Sequence, residues 1–224
     1  METILKIKSK IAEAEKKHHN NTGKVTLVAI SKSQPVEKIK QTIATGQKHF
    51  GESYLKEALD KIKIIDKNQI IWHYIGRIQS KKTKSIALNF DWVQSVSSFE
   101  MAELLNKHRP SHIKPLNICI QVNISEETSK SGVSTDEILS LAKKIQEKLP
   151  KLKLRGLMSI PAFNKNFEQQ LTAFKKLSKE FKKLQENGMP LDTLSMGMSH
   201  DFETAIEAGS TMVRIGSAIF GERN

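Results

Sequence analysis

The sequence predicts a single (β/α)₈ barrel spanning residues 1–224, and three observations lead to this fold class. Strand-like and helix-like segments alternate along the chain, which is typical of a parallel sheet with helical crossovers. Several strand candidates, such as VTLVAI at 25–30 and NICIQV at 117–122, are continuous apolar runs suited to strands buried on both faces. Eight strand candidates occur in 224 residues without a Pro/Gly/Ser-rich linker, which fits a small barrel. A doubly wound open sheet fits the same alternation and is the alternative.

The candidate elements follow one another in a regular order. The strand candidates are residues 25–30, 48–52, 69–75, 90–96, 115–123, 152–160, 192–197 and 211–216. The helix candidates are residues 1–17, about 36–44, 53–65, 80–88 and 98–107, one that ends before Pro150, one from Phe167, and one that ends at Gly209. Each helix candidate lies between two strand candidates or precedes the first, as the barrel requires.

Local signals support individual helices. Apolar residues at helical spacing predict the first and the longest helix. These stripes are Ile4, Ile7, Ile11 and Ala14, and Phe167, Leu171, Phe174, Leu177, Phe181 and Leu184. Ser97 with Glu100, and Ser134 with Glu137, have the spacing of capping boxes at helix starts. Asn187–Gly188 is a stop signal for the longest helix.

Composition excludes several classes of protein. The 38% hydrophobic content excludes a disordered chain, and no apolar run approaches the roughly 20 residues of a membrane span. The N-terminal segment lacks the apolar core of a secretory signal. The single cysteine, Cys119, excludes an intrachain disulfide and a cysteine-only zinc site. We therefore expect a cytoplasmic protein, a monomer without a membrane partner.

The net charge of +12 comes mainly from lysine. Of the 36 basic residues, 31 are Lys and 5 are Arg, whereas specific nucleic-acid recognition depends on the planar fork of Arg. The lysines are spread along predicted helix faces, as in FKKLSKEFKKL. This pattern favours a solvated surface over specific nucleic-acid binding, and non-specific polyanion binding is the alternative.

Two turns at the predicted mouth of the barrel suggest a phosphate site. Gly197-Met198-Ser199 follows the seventh strand candidate, and Gly216-Ser217 follows the eighth. The loops after these strands commonly hold phosphate in barrel enzymes, because glycine admits the ligand close to backbone N–H groups. Ordinary turn and N-cap chemistry uses the same residue types, so the two interpretations stay open.

Two cations are also candidates for ligand contact. Lys32 directly follows the first strand, where a desolvated amine has a lowered pKa and can attack a carbonyl. Arg214 lies inside the apolar run TMVRIG, so it must pair with an acid, a ligand or solvent. A surface role for Lys32 and a structural ion pair for Arg214 are the alternatives.

At these residues the sequence resembles the pyridoxal phosphate homeostasis proteins of bacteria and eukaryotes. The matching segments span nearly the whole chain in order. They are VAISKSQP (28–35), HFGE (49–52), WHYIGRIQSKK (72–82), QVNISEETSKSG (121–132), LRGLMSIP (154–161) and LSMGMSHDFETAIEAGSTMVRIGSAIFGER (194–223). The resemblance implies one (β/α)₈ barrel similar to the cofactor domain of bacterial alanine racemases.

The resemblance also implies a ligand and residue roles. Lys32 corresponds to the lysine that forms an internal aldimine, a Schiff base, with pyridoxal 5'-phosphate (PLP). Ser199, Gly216 and Ser217 match positions that hold the phosphate. Arg214 matches the arginine near the pyridine nitrogen, with the phosphate as its alternative contact. The chain has Ser53 where the family usually has Asn, and His200 where Asp or Ala is more frequent, which affects any contacts made there.

The resemblance implies a carrier rather than an enzyme. In the racemases, a tyrosine from the partner's additional β-domain serves one face of the cofactor. This chain ends at Asn224, directly after its eighth unit, so we expect that domain to be absent; its two tyrosines are Tyr54 and Tyr74. The expected role is to hold PLP, limit free aldehyde and supply apo-enzymes, with indirect effects on amino-acid metabolism. A racemase-like enzyme is the first alternative, and a basic adaptor is the second.

Overall fold

The structure is a computed structural model that describes residues 2–19, 22–66, 68–125, 131–161 and 166–221. Its strands are β1 Thr26–Ile30, β2 His49–Glu52, β3 Ile71–Tyr74, β4 Trp92–Val96, β5 Leu116–Gln121, β6 Leu152–Met158, β7 Thr193–Ser195 and β8 Met212–Ile215. Its helices are α1 Glu2–His19, α2 Val36–Ile43, α3 Leu55–Ile64, α4 Thr83–Asn89, α5 Phe99–His108, α6 Ile138–Lys148, α7 Phe167–Glu186, α8 Phe202–Glu207 and α9 Ser217–Phe220. A 3-10 turn, Ser80–Lys82, precedes α4.

The strands of the described residues form a closed parallel barrel in the order β1 to β8. The strand β1 pairs with β2 and also with β8, where Ala29 is opposite Ile215. An open doubly wound sheet would leave two unpaired edges, so this pairing excludes the alternative. The predicted (β/α)₈ barrel is therefore confirmed.

Two apolar layers result from the alternation of side chains along each strand. One layer fills the barrel interior and includes Val28, Ile30, Trp92, Cys119, Met158 and Met212. The larger layer lies between the strands and the surrounding helices. Its helix side includes most of the predicted stripe of α7, which is buried from Leu171 to Leu184. Phe167 is 47% exposed, so its assignment to that stripe was wrong; it is the first residue of α7, before the helix reaches the barrel wall.

The first helix covers the seam where the barrel closes. The predicted stripe of α1 is buried and packs in one cluster with Phe202 and Ile206 of α8 and with Val213 and Ile215 of β8. Helix α1 therefore contributes to the junction between the first and last strands. No helix within the described residues has the length and apolarity needed to span a membrane.

The helix starts differ from the prediction at two positions. Ser98, not Ser97, caps α5, because Ser97 still belongs to the extended segment after β4 and the Ser98 hydroxyl accepts the Met101 N–H at 3.2 Å. The Ser134–Glu137 pair does form, with the Ser134 N–H 3.0 Å from a Glu137 carboxylate oxygen. Residues 135–137 form a turn within this pair, and α6 begins directly after Glu137.

Candidate functional site

The predicted site residues come together at one end of the barrel. Because the strands are parallel, the turns after β7, β8 and β1 all open at the carboxyl ends of the strands. These turns carry Ser199, Gly216–Ser217 and Lys32, and they lie on three consecutive strands of the closed sheet. Gly216 approaches β1 closely, since a Cβ built on it would lie 3.3 Å from Ile30 Cβ.

Lys32 lies in a tight turn with a defined backbone. It is half-buried and directly follows Ser31, whose N–H donates to the Gly51 carbonyl of β2 at 3.0 Å. The Gln34 N–H closes the turn by donating to the Ser31 carbonyl at 3.1 Å. Ser33 has φ +60°, the left-handed conformation that L-residues adopt rarely. The turn therefore projects Lys32 from a fixed point on the rim.

A buried ionic cluster that the sequence did not reveal lies beside this turn. The Lys61 ammonium of α3 donates to Glu52 Oε1 at 2.7 Å, to Glu57 Oε1 at 2.5 Å and to the Ser31 carbonyl at 2.6 Å. The Ser31 hydroxyl also donates to Glu52 Oε1 at 2.7 Å. The pKa of Glu52 is raised, because burial outweighs the opposing effects of Lys61 and Ser31. One available signal was a lysine on the buried face of α3, four residues after a glutamate.

The turns after β7 and β8 form a small polar cup. Ser217 Oγ lies 3.1 Å from Ser199 Oγ, and the Ala218 N–H points at Ser199 Oγ from 3.4 Å. Ser217 is exposed and Ser199 is half-buried, so both hydroxyls are accessible from the mouth. Asp201 stabilises the first turn by accepting the Met198 N–H at 2.6 Å. The pKa of Asp201 is raised, mainly by burial.

Gly197 is required where the first of these turns leaves β7. Its φ of +93° is left-handed, and a Cβ at this position would lie 2.6 Å from the Ala205 Cβ and 3.0 Å from the Phe202 Cα. Both the backbone conformation and the close approach of α8 exclude a larger residue. The left-handed turn and the packing against α8 therefore explain Gly197 without a ligand.

Arg214 is buried in the barrel wall below the cup. Its guanidinium donates to Ser195 Oγ at 2.5 Å and to the Ser159 carbonyl at 2.8 Å. Both acceptors are neutral, and no acid of the described residues forms an ion pair with it. Burial lowers the pKa of Arg214 to about 10, and Asp201 opposes this effect only in part. The alternative interpretation, a structural ion pair, is therefore not what satisfies this charge among the described residues.

A chain of hydrogen bonds crosses the barrel interior from Arg214. Because a guanidinium can only donate, Ser195 Oγ accepts from Arg214 and donates its own proton to Gln94 Oε1 at 2.7 Å. The Gln94 amide nitrogen then donates to His73 Nδ1 at 2.9 Å. His73 therefore carries its proton on Nε2 and donates it to His49 Nδ1 at 2.9 Å. Because the Arg214 guanidinium can only donate, it determines which atom donates and which accepts in every bond of this series.

The two histidines in this series of hydrogen bonds, the buried His73 and the half-buried His49, both have lowered pKa values. Burial, with a smaller effect of His49, holds the pKa of His73 well below its usual value. Burial and the neighbouring Lys48 lower the pKa of His49. His73 stacks on Trp92 with ring centroids 5.2 Å apart, and the Arg155 guanidinium lies 4.7 Å from the Trp92 ring centroid. The prediction that these histidines are satisfied core residues agrees with these contacts.

The two tyrosines have different environments. Tyr74 is buried in the layer between strands and helices, where its hydroxyl donates to the Arg77 carbonyl at 3.1 Å. Burial raises its pKa. Because Tyr74 alternates with the inward-facing His73, its ring lies outside the barrel interior. Tyr54 is 55% exposed just after β2.

Parts of two predicted motifs lie outside the described residues. These are residues 126–130 of the QVNISEETSKSG segment and residues 222–223 at the end of the last segment. In the described part of the first segment, Ser159 Oγ donates to the Val122 carbonyl at 3.0 Å, and Val122 forms an isolated bridge with Val133. The five predicted site residues are all described.

Comparisons with known proteins agree with the resemblance in the sequence. Residues 6–224 match the family described as alanine racemase, N-terminal domain. The pyridoxal phosphate homeostasis protein of Haemophilus influenzae is 46% identical over 97% of this chain and 93% of its own length. The protein of the same name from Vibrio alginolyticus is 47% identical over 100% of this chain and 97% of its own length.

Solved structures show the same fold. The PipY protein of Synechococcus elongatus PCC7942, solved with PLP bound, has a TM-score of 0.83 and 29% identity, and the match covers 96% of this chain and 100% of PipY. Alanine racemase of Clostridium difficile has a TM-score of 0.77 at 15% identity, and the match covers 96% of this chain but 58% of the racemase. The second likeness concerns the fold alone.

Proposed function

The chain belongs to the family of pyridoxal phosphate homeostasis proteins, and from that premise we propose that it binds PLP at the mouth of its barrel and acts in PLP homeostasis. One observation carries the proposal: an amine on the first strand end and a pair of hydroxyls on the seventh and eighth converge at one rim. PLP presents an aldehyde and a phosphate, and this rim offers a group suited to each.

The donor set fits PLP in chemical terms. Lys32 is the covalent anchor, since its amine condenses with the aldehyde to form an imine and release water. Ser199, Gly216 and Ser217 hold the phosphate through hydroxyls and backbone N–H groups, with the half-buried cup setting its position. Arg214, fixed by Ser195 and the Ser159 carbonyl, provides positive charge toward the pyridine nitrogen or the phosphate.

We propose the role of a carrier rather than an enzyme. PLP serves as an electron sink for many reactions, and the acids and bases around it determine which reaction occurs. Tyr74 is directed away from the barrel interior, so it is not available as a second base at this rim. The curated relatives are named as homeostasis proteins. The protein would hold PLP as a Schiff base in the cytoplasm, as a single-domain monomer, and release it to apo-enzymes by exchange with another amine.

Borohydride trapping tests the covalent anchor. The purified protein is incubated with PLP, reduced with borohydride, digested and mapped by mass spectrometry. We expect a phosphopyridoxyl group on Lys32 and its loss in Lys32→Ala. Lys63→Ala is the matched control, because Lys63 is exposed and, among the described residues, forms its ion pair with Asp60. An unmodified Lys32 with label on exposed lysines would contradict the proposal.

A racemase-like activity is the second candidate, because residues 6–224 match the alanine racemase N-terminal domain family. Assays with D- and L-amino acids at high protein concentration separate it from the carrier. Robust turnover that is lost in Lys32→Ala would favour the enzyme, whereas PLP release to an apo-enzyme without turnover would favour the carrier.

A further inference from the structure

We propose that Lys61, Glu57 and Glu52 form a positioning device for Lys32, which we call the buried clamp. The clamp holds the backbone on both sides of Lys32 and so determines where its amine can meet an aldehyde. This inference rests on the proposed covalent role of Lys32. None of the three residues is assigned a ligand contact above, and each acts through the turn that carries Lys32.

The first arm of the clamp holds the residue before Lys32. The Lys61 ammonium donates to the Ser31 carbonyl at 2.6 Å, inside the protein where water does not compete. The Ser31 side chain is held as well, since its hydroxyl donates to Glu52 Oε1 at 2.7 Å. Both the main chain and the side chain of Ser31 are therefore fixed by charged groups, which form the stronger class of hydrogen bond.

The second arm holds the residue after Lys32. Glu57 Oε1 accepts the Ser33 N–H at 2.7 Å. Ser33 has φ +60°, a conformation unfavourable for an L-residue, so a specific contact is needed to maintain it. Because the same Glu57 oxygen also accepts from Lys61 at 2.5 Å, the two arms are joined.

Lys61 itself is unsuited to bind an aldehyde. An ammonium has three N–H groups, and those of Lys61 are directed at the Ser31 carbonyl, Glu52 and Glu57. A nucleophilic amine needs a lone pair that is free to attack, whereas the Lys61 nitrogen is held against these three acceptors. The mouth of the barrel thus holds two lysines with separate tasks, since Lys32 projects from the turn and Lys61 fixes it.

Glu52 completes the clamp by balancing the buried charge. It ends β2, is fully buried and places one oxygen between Lys61 and Ser31. Its other oxygen, Oε2, has no hydrogen-bond partner among the described residues. Glu52 therefore depends on Lys61, and the removal of Lys61 leaves a buried acid that must take up a proton.

The decisive experiment compares Glu57→Ala with Glu57→Gln. Glutamine retains a carbonyl oxygen that accepts from Ser33 and Lys61, whereas alanine removes both contacts. PLP affinity is measured by absorbance titration, and the adduct on Lys32 is quantified after borohydride reduction. We expect Glu57→Ala to weaken PLP binding about tenfold and Glu57→Gln to restore most of it. Lys61→Met should have at least the effect of Glu57→Ala, and Lys63→Met on the same helix should have none.

The outcomes separate this inference from the proposed function. If the wild-type protein shows no adduct on Lys32, the proposed function fails, and the inference fails with it. If the wild type shows the adduct but Glu57→Ala matches it, only the inference is overturned. Equal losses in Glu57→Ala and Glu57→Gln would also overturn it, as would a phosphopyridoxyl group on Lys61 in Lys32→Ala.

Protein stability is followed in parallel by urea denaturation. A purely structural role for Glu57 would lower the free energy of unfolding while leaving PLP affinity of the folded protein unchanged, and that result counts against the clamp. If Lys61→Met does not fold, the pair of Glu57 variants, at a half-buried position, still decides the question.

Discussion

Replacement of His73 by glutamine should make protein stability less sensitive to acid. His73 is neutral in the barrel interior, where it accepts from Gln94 through Nδ1 and donates to His49 through Nε2. Glutamine can both accept and donate, but it does not titrate near neutral pH. The comparison between the wild type and His73→Gln therefore isolates one buried titrating group.

The magnitude follows from linkage between protonation and folding. The pKa of His73 in the folded protein lies well below the usual 6.5, so the unfolded chain takes up a proton first as the pH falls. The stability associated with neutral His73 is complete above pH 6.5 and is lost as the pH falls below that value toward the folded pKa. One proton taken up only by the unfolded state lowers the free energy of unfolding by about 1.4 kcal/mol between pH 7.5 and 5.5.

Urea denaturation at pH 7.5, 6.5 and 5.5 provides the measurement. We expect the wild type to lose about 1.4 kcal/mol more than His73→Gln over this interval, whatever the offset between the two proteins at pH 7.5. His49 remains in both proteins, so its own lowered pKa contributes to both. Equal pH dependence in the two proteins would refute the assignment of a neutral, buried His73.

Three further predictions concern the turns and one helix start. The double variant Ser199→Ala/Ser217→Ala should weaken PLP binding about tenfold, because two hydroxyl contacts to the phosphate are lost, and should leave binding of pyridoxal, which has no phosphate, unchanged; an equal loss for both compounds in titrations would speak against a phosphate cup. Gly197→Ala should lower the free energy of unfolding by about 2 to 5 kcal/mol, the sum of a left-handed backbone and the overlap with α8. Gly209→Ala is its control, with a left-handed backbone but no atom nearer than 3.8 Å to the added Cβ, and urea curves showing the same loss for both would contradict the role of the overlap. Ser98→Ala should destabilise the protein by about 1 kcal/mol through loss of the α5 cap, and a larger effect of Ser97→Ala in the same assay would reverse the assignment.

The sequence was sufficient for the barrel and for the position of the rim residues. Continuous apolar runs such as residues 25–30 predicted β1 to within one residue, because strands buried on both faces leave a strong local pattern. The residues after each run, including Lys32 and Ser217, could then be placed at one rim by the parallel arrangement alone. Their roles toward a cofactor came from the family resemblance and stay predictions.

The rest depended on contacts between residues distant in the chain. Lys61 was hidden among 31 lysines, since its burial follows from the packing of α3 against the turn after β1. The series of hydrogen bonds from Arg214 of β8 to His49 of β2 passes through β7, β4 and β3. No spacing in the sequence encodes it. The choice of Ser98 over Ser97 as the cap depended on where β4 and its extension end.

The pairing of β1 with β8 has a consequence for synthesis of the protein. The proposed amine emerges from the first strand and the proposed phosphate cup from the last two, so a chain still emerging from the ribosome carries Lys32 long before it carries Ser199 or Ser217. Only when β8 joins β1 do these groups share a rim. A polypeptide that lacks β8 would therefore retain PLP poorly, and cofactor retention would report that the ring of strands has closed.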